Sequence, residues 1–166
     1  MIAIDPGQSG GIAFLSQQGD AGAFKMPDTD REISDVLCPD LRPSLTSTRF
    51  PLLMGETVQR PRVVYLESIV KFAGTNMPGS SGIVYGDSCG FVRGVLTAFD
   101  YRIVLAPPKT WQKALGLGSR NSHPSRTAWK NHLKNRAQQL FPNVKVTLNT
   151  ADALLILEAA RRGLLG

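Results

Sequence analysis

The sequence predicts an α/β fold whose sheet begins with an antiparallel hairpin and continues with parallel strands. Apolar runs at 2–5 and 12–15 are separated by a glycine-rich hexapeptide, a pattern typical of two hairpin strands. Farther along, strand patterns alternate with helical patterns, which is typical of the crossover connections between parallel strands. At 166 residues the chain has the length of one domain, which we expect to span 1–166.

Apolar periodicity and local end signals define the elements in order. The predicted strands are 2–5, 12–15, 21–26, 62–67 and 101–106. The predicted helices are a short one that Asp28 or Thr29 caps and that ends near 36, and those at 81–99, 109–116, 124–140 and 150–163.

Three of these elements carry distinct signals. The run RVVYLE at 62–67 is β-branched and aromatic, as expected for a buried central strand. Pro107 and Pro108 end the last strand, because proline has no N–H to donate to a neighbouring strand. Asn149 or Thr150 is available to cap the last helix. Segment 39–60 is rich in Pro, Ser and Thr and is expected to be irregular or only briefly helical.

The helix predicted at 81–99 has glycine at every fourth position. The glycines are Gly82, Gly86, Gly90 and Gly94. Each one costs about 1 kcal/mol of helix stability relative to alanine, so four in register need a compensating contact. We expect close backbone approach of this helix to the sheet or to a second helix, and an interface between two copies of the chain is an alternative.

The charge of the chain is strongly divided. The formal net charge is +6, but residues 1–100 hold 8 Lys and Arg against 11 Asp and Glu, whereas residues 101–166 hold 11 against 2. Seven basic residues follow one another without an acidic residue between them: Lys109, Lys113, Arg120, Arg126, Lys130, Lys134 and Arg136. Nucleic acid is the first partner that such a stretch suggests. The alternative is a solvated helix face that binds nothing.

Other features restrict the protein's location. Cys38 and Cys89 have neither the number nor the spacing of a disulfide framework or a zinc site, so we expect reduced thiols. No apolar run approaches the roughly 20 residues that span a bilayer, and the start MIAIDPG lacks the features of a signal peptide. We therefore expect no membrane partner and a cytoplasmic location, with an organelle left open.

Three carboxylates stand in apolar surroundings. Asp5 ends the first strand, Glu67 ends the strand at 62–67, and Asp152 lies in the first turn of the last helix. If the two strands are neighbours, these acids converge, and their repulsion raises each pKa unless a hard cation such as Mg2+ or Mn2+ holds them. Separately, Asp5 could begin a turn, Glu67 could be an ordinary strand-end acid, and Asp152 could favour the helix dipole.

Three motifs in order carry a resemblance to a known family. IAIDPGQSGGIA at 2–13, VVYLES at 63–68 and TADALLILEAA at 150–160 resemble the acidic motifs of RuvC-type Holliday junction resolvases, which belong to the RNase H-like superfamily. The glycine helix and APPKTWQKALGLG at 106–118 are similar to the phage and chloroplast branches. The resemblance implies a mixed five-stranded RNase H-like sheet flanked by helices. It also implies a homodimer that cuts opposing strands of four-way DNA junctions.

The resemblance further implies catalysis with two metal ions, Mg2+ or Mn2+, in each active site. Asp5 would bridge the ions, with Glu67 and Asp152 as flanking ligands. The family usually has a fourth acid three residues before the position of Asp152, but Asn149 stands there. Either the lineage works with three acids, or the chain is an inactive Asp-to-Asn variant, which we favour. Asn149 could also be a plain helix cap.

Residues that contact DNA are assigned by the same resemblance. Lys113 matches a lysine near the scissile phosphate, although Gln112 fits that position equally, and Arg126 or Lys130 would supply a second cation. Phe72 is a candidate to stack at the junction centre, or an exposed residue without a role. The predicted DNA-binding set is Phe72, Lys109, Lys113, Arg120, Arg126, Lys130 and Lys134. An RNase H-like ribonuclease and a non-catalytic binder of branched DNA are the alternative functions.

Overall fold

The computed structural model describes residues 1–16, 18–38, 63–68 and 79–165. Within them, the strands are β1 (Ile2–Asp5), β2 (Gly11–Leu15), β3 (Ala21–Lys25), β4 (Val63–Glu67) and β5 (Arg102–Ala106). The α-helices are α1 (Asp30–Leu37), α2 (Gly79–Ala98), α3 (Pro108–Ala114), α4 (Arg126–Leu140) and α5 (Ala151–Arg161), and a 3-10 turn covers Arg120–Ser122. No helix in these ranges is long and apolar enough to cross a membrane. Segment 39–60 and Phe72 lie outside the described residues.

One mixed sheet with the order β3-β2-β1-β4-β5 forms the centre of the fold. β1 and β2 pair antiparallel, as do β2 and β3, while β1 with β4 and β4 with β5 pair parallel. The predicted fold class, a hairpin followed by parallel strands, is therefore confirmed. β1 lies at the middle of the sheet, which places the residue at its end among several elements.

Helices cover both faces of the sheet because side chains alternate along each strand. Ile2 and Ile4 of β1 belong to a buried cluster with Val92 and Leu96 of α2. Ala3 between them belongs to a second cluster, which also contains side chains of α4 and α5. Residues 151–160 of α5 are all buried, so this helix packs along its whole length. Its first turn is thereby held firmly against the sheet.

Two local predictions about the helices are wrong in part. A Cβ atom added at Gly86, Gly90 or Gly94 would have no atom within 4 Å in the described part of the chain, so these glycines do not serve close packing on the sheet. The side chain of Thr150 makes no capping bond at the start of α5, although Thr150 occupies the cap position, because its hydroxyl pairs with Thr147. By contrast, Thr29 caps α1 as predicted, accepting a hydrogen bond from the Glu32 N–H.

Candidate active site

The three predicted carboxylates lie close together at one end of the sheet. The parallel register pairs Ile4 with Leu66, so Asp5 and Glu67, the next residues of each strand, lie side by side. α5 brings Asp152 into electrostatic interaction with both. Asp152 is 5% exposed, and Asp5 and Glu67 are half-buried. The chain thus gathers three acids from three separate elements.

Two glycines allow the backbone to close around this site. A Cβ atom on Gly10 would lie 2.0 Å from the carbonyl oxygen of Asp5. A Cβ atom on Gly11 would lie 2.7 Å from the carbonyl oxygen of Asn149. Both distances are far shorter than a carbon–oxygen contact permits. The glycines of the first motif are therefore needed for the β1–β2 loop and the segment before α5 to approach one another.

Burial and mutual repulsion raise the pKa values of the paired acids. Burial is the main cause for Asp5, followed by the charge of Asp152, and together they raise its pKa to about 6. Burial and the charges of Asp5 and Asp152 hold the pKa of Glu67 well above its usual range. A side-chain hydrogen bond couples Asp5 and Glu67, so a proton bound here belongs to the pair and not to one residue. Such a pair of carboxyl groups can bind a proton or a metal cation.

The basic neighbour of the acids is Lys130. Its Nζ atom donates a hydrogen bond of 2.5 Å to Oδ2 of Asp152. Burial lowers the pKa of Lys130, but attraction to Asp152 outweighs this and the net shift is upward. Lys130 is one of the two residues that the sequence offered for a second cation. Lys113, the first choice, has an exposed side chain on α3.

The donor set fits a hard divalent cation, although its oxygens are not yet arranged around one. Asp5 and Glu67 offer adjacent carboxylate oxygens, the ligands that Mg2+ and Mn2+ prefer. The Oδ1 atom of Asp152 is buried and has no hydrogen-bond partner among the described residues, as expected of an oxygen that a ligand would satisfy. However, no group of three or more His, Cys, Asp or Glu side chains in the described ranges is arranged to hold an ion as it stands.

Asn149 is held by the loop that follows Asp5. Its Nδ2 atom donates a hydrogen bond of 3.0 Å to the carbonyl oxygen of Ser9. Aspartate cannot make this bond, because an ionised carboxylate has no hydrogen to donate. Asn149 therefore joins the last motif to the first, and its role as a cap for α5 is not observed. Its Oδ1 atom remains a neutral and weak oxygen ligand.

Sequence reasoning gave no role in the site to two aromatic residues that lie there. Trp111, which is fully buried, donates a hydrogen bond of 3.2 Å from Nε1 to Oε1 of Glu67. The ring of Tyr85 lies against Gly7, whose added Cβ atom would be 3.1 Å away, and its hydroxyl interacts electrostatically with Glu67. A buried tryptophan needs an acceptor for its N–H, and this requirement is the signal that could have pointed to Trp111.

The other predicted DNA contacts lie mainly on the surface. Lys109, Lys113, Arg120 and Arg126 are exposed, and Lys134 is half-buried. Arg126, Lys130 and Lys134 recur every fourth residue of α4, so they share one face of that helix. Because Lys130, the middle residue of the three, contacts Asp152, the basic face adjoins the acidic site.

The fold and the carboxylate cluster define the class: an α/β domain with a mixed five-stranded sheet and an acidic site at the end of its central strands. Neither a protein-family model nor a curated protein matches the sequence. Solved structures do match. T. thermophilus RuvC in complex with Holliday junction substrate has a TM-score of 0.54 and 16% sequence identity, over 99% of this chain and 98% of that one.

A second structure of Thermus thermophilus RuvC has a TM-score of 0.52 and 18% identity over the same shares of the two chains. At this identity the likeness establishes the fold. The chain therefore has the mixed five-stranded, RNase H-like fold of the RuvC Holliday junction resolvases.

Proposed function

We propose that the protein is a structure-selective endonuclease that binds four-way DNA junctions and cuts two opposing strands by metal-dependent phosphodiester hydrolysis. The observation that carries this proposal is the convergence of Asp5, Glu67 and Asp152 beside a basic helix face. The fold match to a RuvC structure that holds a Holliday junction supports the choice of substrate. For such a substrate we expect a cytoplasmic location in a bacterium or phage host.

Each residue of the site has a defined role in this proposal. Divalent ions, when bound, would lower the pKa of an attacking water and offset the charge of the phosphate. Asp5, Glu67 and Asp152 would hold two Mg2+ or Mn2+ ions, and Asn149 would be a weak neutral ligand. Trp111 holds Glu67 in place through its N–H. Since Asp5 and Glu67 carry high pKa values, they would exchange their shared proton for the ions.

The basic residues would bind the phosphate backbone. Lys109, Lys113, Arg120 and Arg126 are exposed and free to meet phosphate, and Arg126 shares one face of α4 with Lys130 and Lys134. Such contacts bind duplex arms without reading sequence, which suits an enzyme that recognises the shape of a junction. Phe72 keeps its proposed place at the junction centre on the resemblance alone.

Symmetric cutting of two strands requires two active sites, and we propose a homodimer with twofold symmetry. The exposed glycine face of α2 is the candidate interface. Gly86, Gly90 and Gly94 have open space around them in the described chain, while Ile83 beside them is 74% exposed. A second copy packed on this face would account for glycines that the sheet does not require.

The test is cleavage of a labelled four-way junction in Mg2+ by the chain as it stands and by the Asn149→Asp variant. Linear duplex and an RNA/DNA hybrid serve as control substrates, and Asp5→Asn serves as the inactive control. We expect the Asn149→Asp variant to cut the junction symmetrically, and the unmodified chain to bind it and cut slowly or not at all. Cleavage of the hybrid alone would favour a ribonuclease. If neither protein cuts any substrate, the chain is a binder of branched DNA.

A further inference from the structure

Lys130 forms an ion pair with Asp152 in this structure. The Lys130 ammonium group contacts Oδ2 at 2.5 Å, and the Asp152 side chain is 8% exposed, so water does not compete strongly for this oxygen. Lys130 also interacts electrostatically with Asp5 and Glu67. The ammonium group of Lys130 therefore lies beside all three acids, in the region that would also attract a metal cation.

This ion pair explains why the acids are gathered and yet do not form a ready ligand set. Among the described residues, no three candidate ligands are arranged to hold an ion. Asp5 and Glu67 face one another through a shared hydrogen bond, while Asp152 is turned to Lys130. The unpartnered Oδ1 of Asp152 shows that Lys130 satisfies only one of its two oxygens.

We propose that Lys130 is an internal competitor for the metal: its ammonium group neutralises Asp152 in the metal-free protein, and a divalent cation completes the site only when Lys130 leaves that carboxylate. This inference rests on the proposed metal-dependent function. In this inference Lys130 is a positioning residue, because it controls whether Asp152 is available to the metal and takes no part in the hydrolysis itself. The exchange would leave positive charge beside the acids in both states, because the metal cation arrives as the ammonium group leaves.

Mn2+ binding in the absence of DNA tests the exchange. Calorimetric titrations compare the unmodified chain with Lys130→Met and with Lys134→Met. Lys134 is the matched control, since it lies one helical turn farther on the same face of α4 and its loss changes the net charge equally. Asp5→Asn defines the heat that does not come from the site.

We expect Lys130→Met to bind Mn2+ at least about tenfold more tightly than Lys134→Met, because no ammonium group has to be displaced. Lys130→Arg, which keeps the charge, should bind no more tightly than the unmodified chain. If Lys130→Met folds poorly, the rise in its melting temperature at saturating Mn2+ should still exceed that of Lys134→Met.

Equal affinities of the two methionine variants, or weaker binding by Lys130→Met, would overturn the inference and leave the proposed function standing. If no protein binds Mn2+ more strongly than Asp5→Asn does, the metal site itself fails, and both proposals fall together.

Discussion

The shared proton of the acidic pair makes the stability of the metal-free protein depend on pH. The pKa of Asp5 is raised from an ordinary 3.8 to about 6, first by burial and then by the charge of Asp152. Over this interval the folded protein keeps a proton that the unfolded chain releases. The contribution of this proton to stability is therefore fully present below pH 3.8 and is lost as pH rises through 6.

The size of the effect follows from that shift. A shift of about two pKa units, from 3.8 to about 6, corresponds to about 3 kcal/mol at 1.36 kcal/mol per unit. This value is an upper bound that belongs to the coupled pair, since Glu67 shares the proton. Asp5→Asn removes the titration and one charge of the cluster. In EDTA at pH 8 we expect the variant to be more stable than the unmodified chain by about 1–3 kcal/mol, and close to it near pH 4.

Urea unfolding followed by tryptophan fluorescence, at unit steps between pH 4 and pH 8, measures this difference. Asp20→Asn is the control, because it removes an exposed carboxylate far from the site in sequence. Added Mg2+ should stabilise the unmodified chain and the control more than Asp5→Asn. Parallel pH profiles for Asp5→Asn and the unmodified chain, or a variant less stable at pH 8 in EDTA, would refute the reasoning.

Three further predictions concern α5, α2 and α4. Arg161→Ala with Arg162→Ala should destabilise the protein by about 3 kcal/mol in urea unfolding, because it leaves the buried Glu158 carboxylate unpaired. Burial raises the pKa of Glu158, but the two arginines outweigh this effect and the net shift is downward. The loss of stability in the double variant should therefore be largest above pH 5 and should shrink at lower pH. A loss of stability that does not depend on pH would contradict this prediction. Gly90→Ala should raise the stability of a monomer by about 1 kcal/mol, and unchanged stability with a weaker dimer in light scattering would place Gly90 in the interface. Arg126→Ala should make the plot of log junction affinity against log salt less steep by about one unit, and an unchanged slope would exclude a phosphate contact.

The order of the elements and the acids of the site were accessible from the sequence because both follow from local patterns. Apolar runs indicate the strands. Asp5 and Glu67 are the last residues of β1 and β4, so they lie at the same sheet edge when these strands pair. Asp5 and Glu67 could therefore be predicted as neighbours once the strands were taken as adjacent. Asp152 followed from its place in the first turn of an apolar helix.

The partners of those acids were decided by the tertiary structure. Lys113 and Lys130 have the same side chain and similar surroundings in the sequence, but only the packing of α4 against α5 brings Lys130 to Asp152. Trp111 reaches Glu67 across 44 positions of the chain. Such contacts depend on how helices and strands are placed relative to one another, and the periodicity within a single element does not determine that placement.

The glycines of α2 show the same division. Their spacing was evident from the sequence, and their cost to an isolated helix follows from backbone entropy alone. What a glycine face packs against depends on which surface is brought to it, and in the described chain nothing lies within 4 Å of Gly86, Gly90 or Gly94. The sequence by itself determined the fold class and the acids, because those are local properties. Only the tertiary structure decided which charges meet, because that depends on distances between elements.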